Sequence, residues 1–121
     1  KSGNNKRIIS SNLEVSREGM ASVVLTKEVL ERFQATDQLA SLVVSVPGTV
    51  EGILAWSMYV EQEDGTFRVH LRSKGPTVNH IAQAFGGGGH TLACGIPSVS
   101  KSQILEVDAE LKEAVKAFKK N

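Results

Sequence analysis

The chain has 121 residues, enough for one domain and too few for two independent cores. Fourteen Lys and Arg against thirteen Asp and Glu leave a net charge of +1, which excludes a polybasic protein living on long-range attraction to duplex nucleic acid. A single cysteine, Cys94, excludes an internal disulfide framework and a Cys-rich zinc module.

Residues 1–7 are polar and read as a flexible start or linker, and 8–121 as the folded domain. Ile8–Val15 and Met20–Leu25 read as strands around an Arg17-Glu18-Gly19 turn. Thr26 can cap a short helix whose apolar face is Val29, Leu30 and Phe33. Asp37 can cap the next, where Leu39, Leu42, Val43 and Val46 follow helical spacing until Pro47-Gly48 ends it. Val50–Gln62 is a long apolar strand, and Glu63-Asp64-Gly65 is a hairpin turn. Thr66–Arg72 returns with period-2 alternation, Phe67, Val69 and Leu71 on one face and Arg68, His70 and Arg72 on the other.

Beyond Lys74-Gly75-Pro76, Thr77 is expected to cap a helix carrying Val78, Ile81, Ala82 and Phe85, with Gly86 as its C′ residue. Gly86–Gly89 then reads as a loop running into His90, and Ala93-Cys94-Gly95 as a patch where backbones can approach closely. Ile96–Val99 reads as the last strand, with Pro97 arguing for an edge. The final helix starts near Ser100 or Ser102, with Ile104, Val107, Leu111, Ala114, Val115 and Phe118 as its apolar stripe. Lys112, Lys116, Lys119 and Lys120 suit the negative end of its macrodipole and read as a solvated face. The order β-β-α-α-β-β-α-β-α gives a single α/β domain with a mixed sheet.

Charge is unevenly distributed. No Asp or Glu occurs between Asp64 and Glu106, an interval that holds Arg68, Arg72, Lys74, Lys101, all three histidines and the glycine run. Consecutive glycines let backbone N–H groups converge on an anion without Cβ clash. Arg72 can grip a phosphate bidentately, and His90 can donate to the same oxygen. The residues alone leave an anion cradle and a plain structural loop equally open. The three aspartates, Asp37, Asp64 and Asp108, lie beside no histidine, so no protein-only metal site is expected. Cys94 reads as a packed thiol. The glycine run is neither a Walker motif nor a dinucleotide fingerprint. No apolar run approaches the roughly 20 residues that cross a bilayer.

The segments FRVHLRSKG and VNHIAQAFGGGGHTLACG resemble the C-terminal DHH-associated domain of DHH-family phosphoesterases. The resemblance rests on Arg72-Ser73, the helix from Val78 to Phe85, Gly87-Gly88-Gly89-His90 and Ala93-Cys94-Gly95. Two positions depart from the pattern: Cys94 stands where Ala or Ser is usual, and His70 where Ser is common. The resemblance is greatest to bacterial bifunctional oligoribonucleases that also dephosphorylate pAp, adenosine with 3′ and 5′ phosphates. It implies a cytoplasmic substrate-binding domain in which Arg72, Ser73, Gly87, Gly88, Gly89 and His90 meet the phosphate of a short oligoribonucleotide or pAp. His90 would take part in catalysis only with an N-terminal DHH domain, which this chain lacks. By resemblance that domain holds manganese, and no cofactor is expected in this chain. The sequence starts KSGNNKR without methionine, so a domain cut from a larger protein is expected. The alternatives are a non-catalytic RNA-binding module, as in the related domain of alanyl-tRNA synthetases, and part of a cyclic-dinucleotide phosphodiesterase.

Overall fold

The computed structural model describes residues 13–32, 47 and 50–120. The elements are β1 (Leu13–Val15), β2 (Met20–Leu25), α1 (Lys27–Arg32), β3 (Ala55–Glu61), β4 (Phe67–Ser73), α2 (Asn79–Ala84), β5 (Gly88–His90), β6 (Ala93–Val99) and α3 (Lys101–Lys120). The helix expected after Asp37 and the flexible start at residues 1–7 lie outside the described residues. The strands form one mixed sheet of order β1-β2-β3-β4-β6-β5. Among the described strands, only β2 and β3 pair in parallel.

Local chemistry explains most boundaries. Gly19, at φ +102°, closes the β1–β2 turn, and its carbonyl accepts from Leu54 N–H at 2.7 Å. Thr26 caps α1 as expected, its Oγ1 accepting from Val29 N–H at 3.3 Å. Asp64 folds the β3–β4 turn by accepting from the N–H and hydroxyl of Thr66, with Gly65 at φ +86°. α3 begins with a capping box. Ser100 Oγ accepts from Gln103 N–H at 3.3 Å, and Gln103 Oε1 accepts from Ser100 N–H at 2.7 Å.

Three expectations change. Thr77 does not cap α2. Val78 occupies the cap position without a side-chain hydrogen bond, and its N–H donates instead to Thr91 O at 2.9 Å. A tertiary partner thus replaces a local cap. The glycine run is not wholly a loop, because Gly88–His90 pairs with Ala93–Gly95 as β5. Pro97 sits beyond the reach of β5, in a bulge where Val69 faces Ile96 but Phe67 faces Val99. The bulge spares a ladder bond that proline cannot make, and it buries both Ile96 and Val99. Gly86 does end α2 as expected. At φ +92° its N–H donates to Gln83 O and that of Gly87 to Ala82 O, a Schellman arrangement.

One face of the sheet carries the main core. Tyr59, Phe67, Val69, Leu71, Cys94 and Ile96 pack there against Val78 and Ile81 and against Ile104, Val107, Leu111 and Val115 of α3. Ala114 is half-buried, while Phe118 remains 45% exposed and shields Gly75 rather than joining the core. On the opposite face Ala21 and Trp56 pack with Ile53. Burying both faces explains why β3 reads as a continuous apolar run.

A polar knot joins α3 to the sheet. Asp108 accepts from Ser22 Oγ at 2.7 Å, Ser57 Oγ at 2.7 Å and Tyr59 Oη at 2.5 Å. Burial first, and the Asp108 charge second, push the Tyr59 phenol far above its ordinary range. Leu111→Ala is expected to cost about 2–5 kcal/mol of stability, because this fully buried side chain leaves a cavity at the helix–sheet interface. Tyr59→Phe should cost roughly 1.5–3 kcal/mol, a hydrogen bond to a carboxylate. Urea denaturation checks both, and an unchanged midpoint in either variant contradicts the assignment.

Candidate functional site

Strand register assembles the sequence-predicted residues. In an antiparallel ladder, directly opposed residues share a face. Arg72 of β4 opposes Trp56 of β3 and Ala93 of β6, and Ala93 in turn opposes His90 of β5. Trp56, Arg72, Ala93 and His90 therefore form one row on the face away from α2 and α3. The next row holds Met58, His70, Gly95 and Gly88. Arg72 and His90 are two strand spacings apart, roughly 9–10 Å between Cα atoms. In this row, among the described residues, the position between them is Ala93, whose side chain is a methyl. Between Arg72 and His70 on β4 and His90 on β5, the two rows thus carry only the small residues Ala93, Gly95 and Gly88.

The side chains flanking these small residues suit an anion. Arg72 is half-buried, and its Nη1 donates to Leu71 O at 2.9 Å and Cys94 O at 3.2 Å. Those bonds hold the guanidinium against the sheet, and it pairs with no carboxylate among the described residues. His90 is exposed. Ser73 is not brought to this face. Its hydroxyl donates to Pro76 O at 2.5 Å and accepts from Gly75 N–H at 3.1 Å, shaping the turn that follows β4. Cys94 also points the other way, into the core. Its Sγ lies 3.6 Å from Val78 O, and burial raises its pKa against the lowering effect of Arg72. The thiol is a packed group.

A profile of the DHHA1 domain matches residues 19–119. The chain belongs to the DHHA1 family. Among curated proteins it is similar to a probable bifunctional oligoribonuclease and PAP phosphatase NrnA of Streptococcus mutans, 39% identical over 108 residues, covering 89% of this chain and 35% of that protein. The NrnA of Bacillus subtilis, named a bifunctional oligoribonuclease and PAP phosphatase, is 40% identical over 108 residues, covering 89% of this chain and 34% of that protein. The chain spans about a third of the length of these relatives. Among solved structures, an exopolyphosphatase-related protein from Bacteroides fragilis superposes with a TM-score of 0.76 at 24% identity, over 98% of this chain and 36% of that one. A pGpG-specific phosphodiesterase, PggH, from Vibrio cholerae superposes with a TM-score of 0.64 at 15% identity, over 93% of this chain and 38% of that one. These two likenesses support the fold.

The glycines of this DHHA1 domain have separable roles. A Cβ on Gly87 would strike Gly95 O and stand 2.8 Å from Ile96 Cα. A Cβ on Gly89, at φ +140°, would stand 2.7 Å from Cys94 Cα. Both glycines are required for β5 to close on β6. Gly88 differs: a Cβ there meets nothing within 4 Å, and its φ lies outside the left-handed region. The fold itself does not require glycine at that position. The sequence reading missed the Asp108 knot, although Asp108 stands at i+4 from Ile104 on the buried stripe and could have been found that way. Gly89→Ala is expected to cost roughly 1–3 kcal/mol from backbone strain alone. Gly88→Ala should leave stability unchanged or raise it by about 0.5 kcal/mol. Thermal denaturation of the two variants checks the contrast, and equal losses would contradict it.

Proposed function

We propose that this DHHA1 domain holds a phosphate of pAp or a short oligoribonucleotide for a DHH-family phosphoesterase. The observation that carries the reading is the row Arg72–Ala93–His90, beside Gly95 and Gly88. It offers two nitrogen-bearing side chains with only a small residue between them, in a stretch free of carboxylates. The names of the curated relatives supply the substrate class. Arg72 and His90 make the phosphate contacts, and the backbone of Gly87, Gly88 and Gly89 admits the nucleotide. Ser73 contributes by shaping the turn behind Arg72. Capture of a terminal phosphate in a short site favours short substrates over duplexes.

No group of three or more His, Cys, Asp and Glu suited to a metal ion gathers among the described residues. The residues present do not fit the manganese of the DHH family. That metal and its ligands belong, on this reading, to a DHH domain facing the Arg72 row, where it would activate water for attack on phosphorus. This chain's part is to bind and orient. His90 would also stabilise the charge that develops on the phosphoryl oxygens. No helix among the described residues is long and apolar enough to cross a membrane, and a cytoplasmic setting goes with the substrate class.

Calorimetric titration of the chain with pAp and with a diribonucleotide tests the reading. Arg72→Ala and His90→Ala are each expected to weaken binding about ten- to a hundredfold, the equivalent of roughly 1.5–3 kcal/mol. Gly88→Ala should weaken it while leaving the fold intact. Parent-like binding by both Arg72→Ala and His90→Ala overturns the phosphate site.

A further inference from the structure

The sheet face that carries α3, opposite the Arg72 row, has a cavity of its own. It measures about 760 Å³ and lies between α3 and the β1–β2 hairpin. A smaller cavity of about 410 Å³ adjoins it and shares Glu14, Ser22, Leu105 and Asp108. The apolar lining of the larger one is Val24, Phe67, Ile104 and Leu105, the last 76% exposed. Its charged lining is unbalanced. Glu14, Glu61 and Asp108 face it against a single cation, Lys101, and Lys112 borders only the smaller cavity. None of the three carboxylates forms an ion pair among the described residues. Glu61 accepts from Lys27 N–H at 2.8 Å. Glu14 opposes Ser22 in the β1–β2 ladder and so stands on the same face as the Asp108 knot. Within that knot Oδ1 of Asp108 accepts from Ser57 and Tyr59, but Oδ2 accepts from Ser22 alone. A carboxylate has about four acceptor positions, so Oδ2 keeps one for a further donor.

We propose that this cavity binds a small organic cation, a primary ammonium group carried on an apolar body. An ammonium supplies three donors and no acceptor. One donor meets the spare position on Asp108 Oδ2, and a second meets Glu14. Hydrogen bonds between ionised partners are roughly twice as strong as neutral ones. The body of the ligand covers Val24, Phe67, Ile104 and Leu105, which removes the exposed Leu105 from water. An anion meets three carboxylates and is rejected. An uncharged ligand of the same shape gains the apolar contacts and forgoes the charge-assisted bond. The volume falls within the roughly 300–1,000 Å³ of cavities that hold small molecules, lined by apolar groups with a few placed polar ones. The site shares no residue with the Arg72 row and does not rest on the phosphate reading.

Amide NMR titration of the chain tests the site with three probes of one shape: phenethylamine, phenylethanol and phenylpropionate. The amine is expected to shift the amides of Ser22, Val24, Leu105 and Asp108 and to bind about tenfold tighter than the alcohol, the worth of one charge-assisted hydrogen bond. The carboxylate probe should leave these amides unmoved. Glu14→Gln and Leu105→Lys are each expected to weaken the amine about tenfold. Both positions are exposed, so the variants keep the folded spectrum, whereas Asp108→Asn would also disturb the knot. Arg72→Ala should leave amine binding unchanged. Equal binding of amine and alcohol overturns the proposal, as do shifts away from these residues or no shift at millimolar amine. Parent-like amine binding by either Glu14→Gln or Leu105→Lys, with the fold intact, overturns it too.

Discussion

The insertion of β6 between β4 and β5 is the constraint on which the site depends. Arg72 and His90 are separated in sequence by α2 and the glycine run, yet they share a row because Ala93 pairs with both. That pairing requires two glycines. Gly87 lies against the carbonyl of Gly95, and Gly89 lies against the backbone of Cys94, and neither approach leaves room for a Cβ. The Schellman turn at Gly86 and the bond from Val78 N–H to Thr91 O hold the two ends of this crossover in place. A motif that reads as a ligand loop is first of all a means of sheet closure.

The opposite face supplies the rigidity. α3 packs on β2 and β3 and α2 packs on β6, so Leu71 and Cys94 are buried on this side while Arg72 and Ala93 face the other. Apolar burial is non-directional and would tolerate small slips of the helix. The Asp108 carboxylate, bonded to two serines and a tyrosine on β2 and β3, is directional and pins the helix in one register. Removing one partner would leave buried polar groups unsatisfied, which is why such a network specifies position more strongly than it adds stability.

Much was legible in the sequence. Period-2 alternation placed Arg68, His70 and Arg72 on the face opposite Phe67, Val69 and Leu71 without any structure. The stripe of α3, the Thr26 cap, the Asp64-Gly65 turn and the Gly86 stop are all local rules. Each depends on residues within a turn or two, so each survives the absence of tertiary information. The Arg-Ser and GGGH elements pointed to the family because their spacing is specific, and the match over residues 19–119 agrees.

Only the tertiary structure decided which of these residues meet. Ser73 follows Arg72 directly, yet it faces the other side of the sheet and spends its hydroxyl on Pro76 O. Adjacent strand residues point apart, and sequence adjacency misleads there. Gly88–His90 is a strand because β6 is available to pair with it, a partner that no local pattern names. Thr77 yielded the start of α2 to a distant carbonyl at Thr91 for the same reason. Local propensity set most of the turns, caps and stops. Long-range pairing chose their neighbours, and with them the row that holds Arg72 opposite His90, because hydrogen-bond partners across a sheet are fixed by the whole chain's packing and by no segment of it.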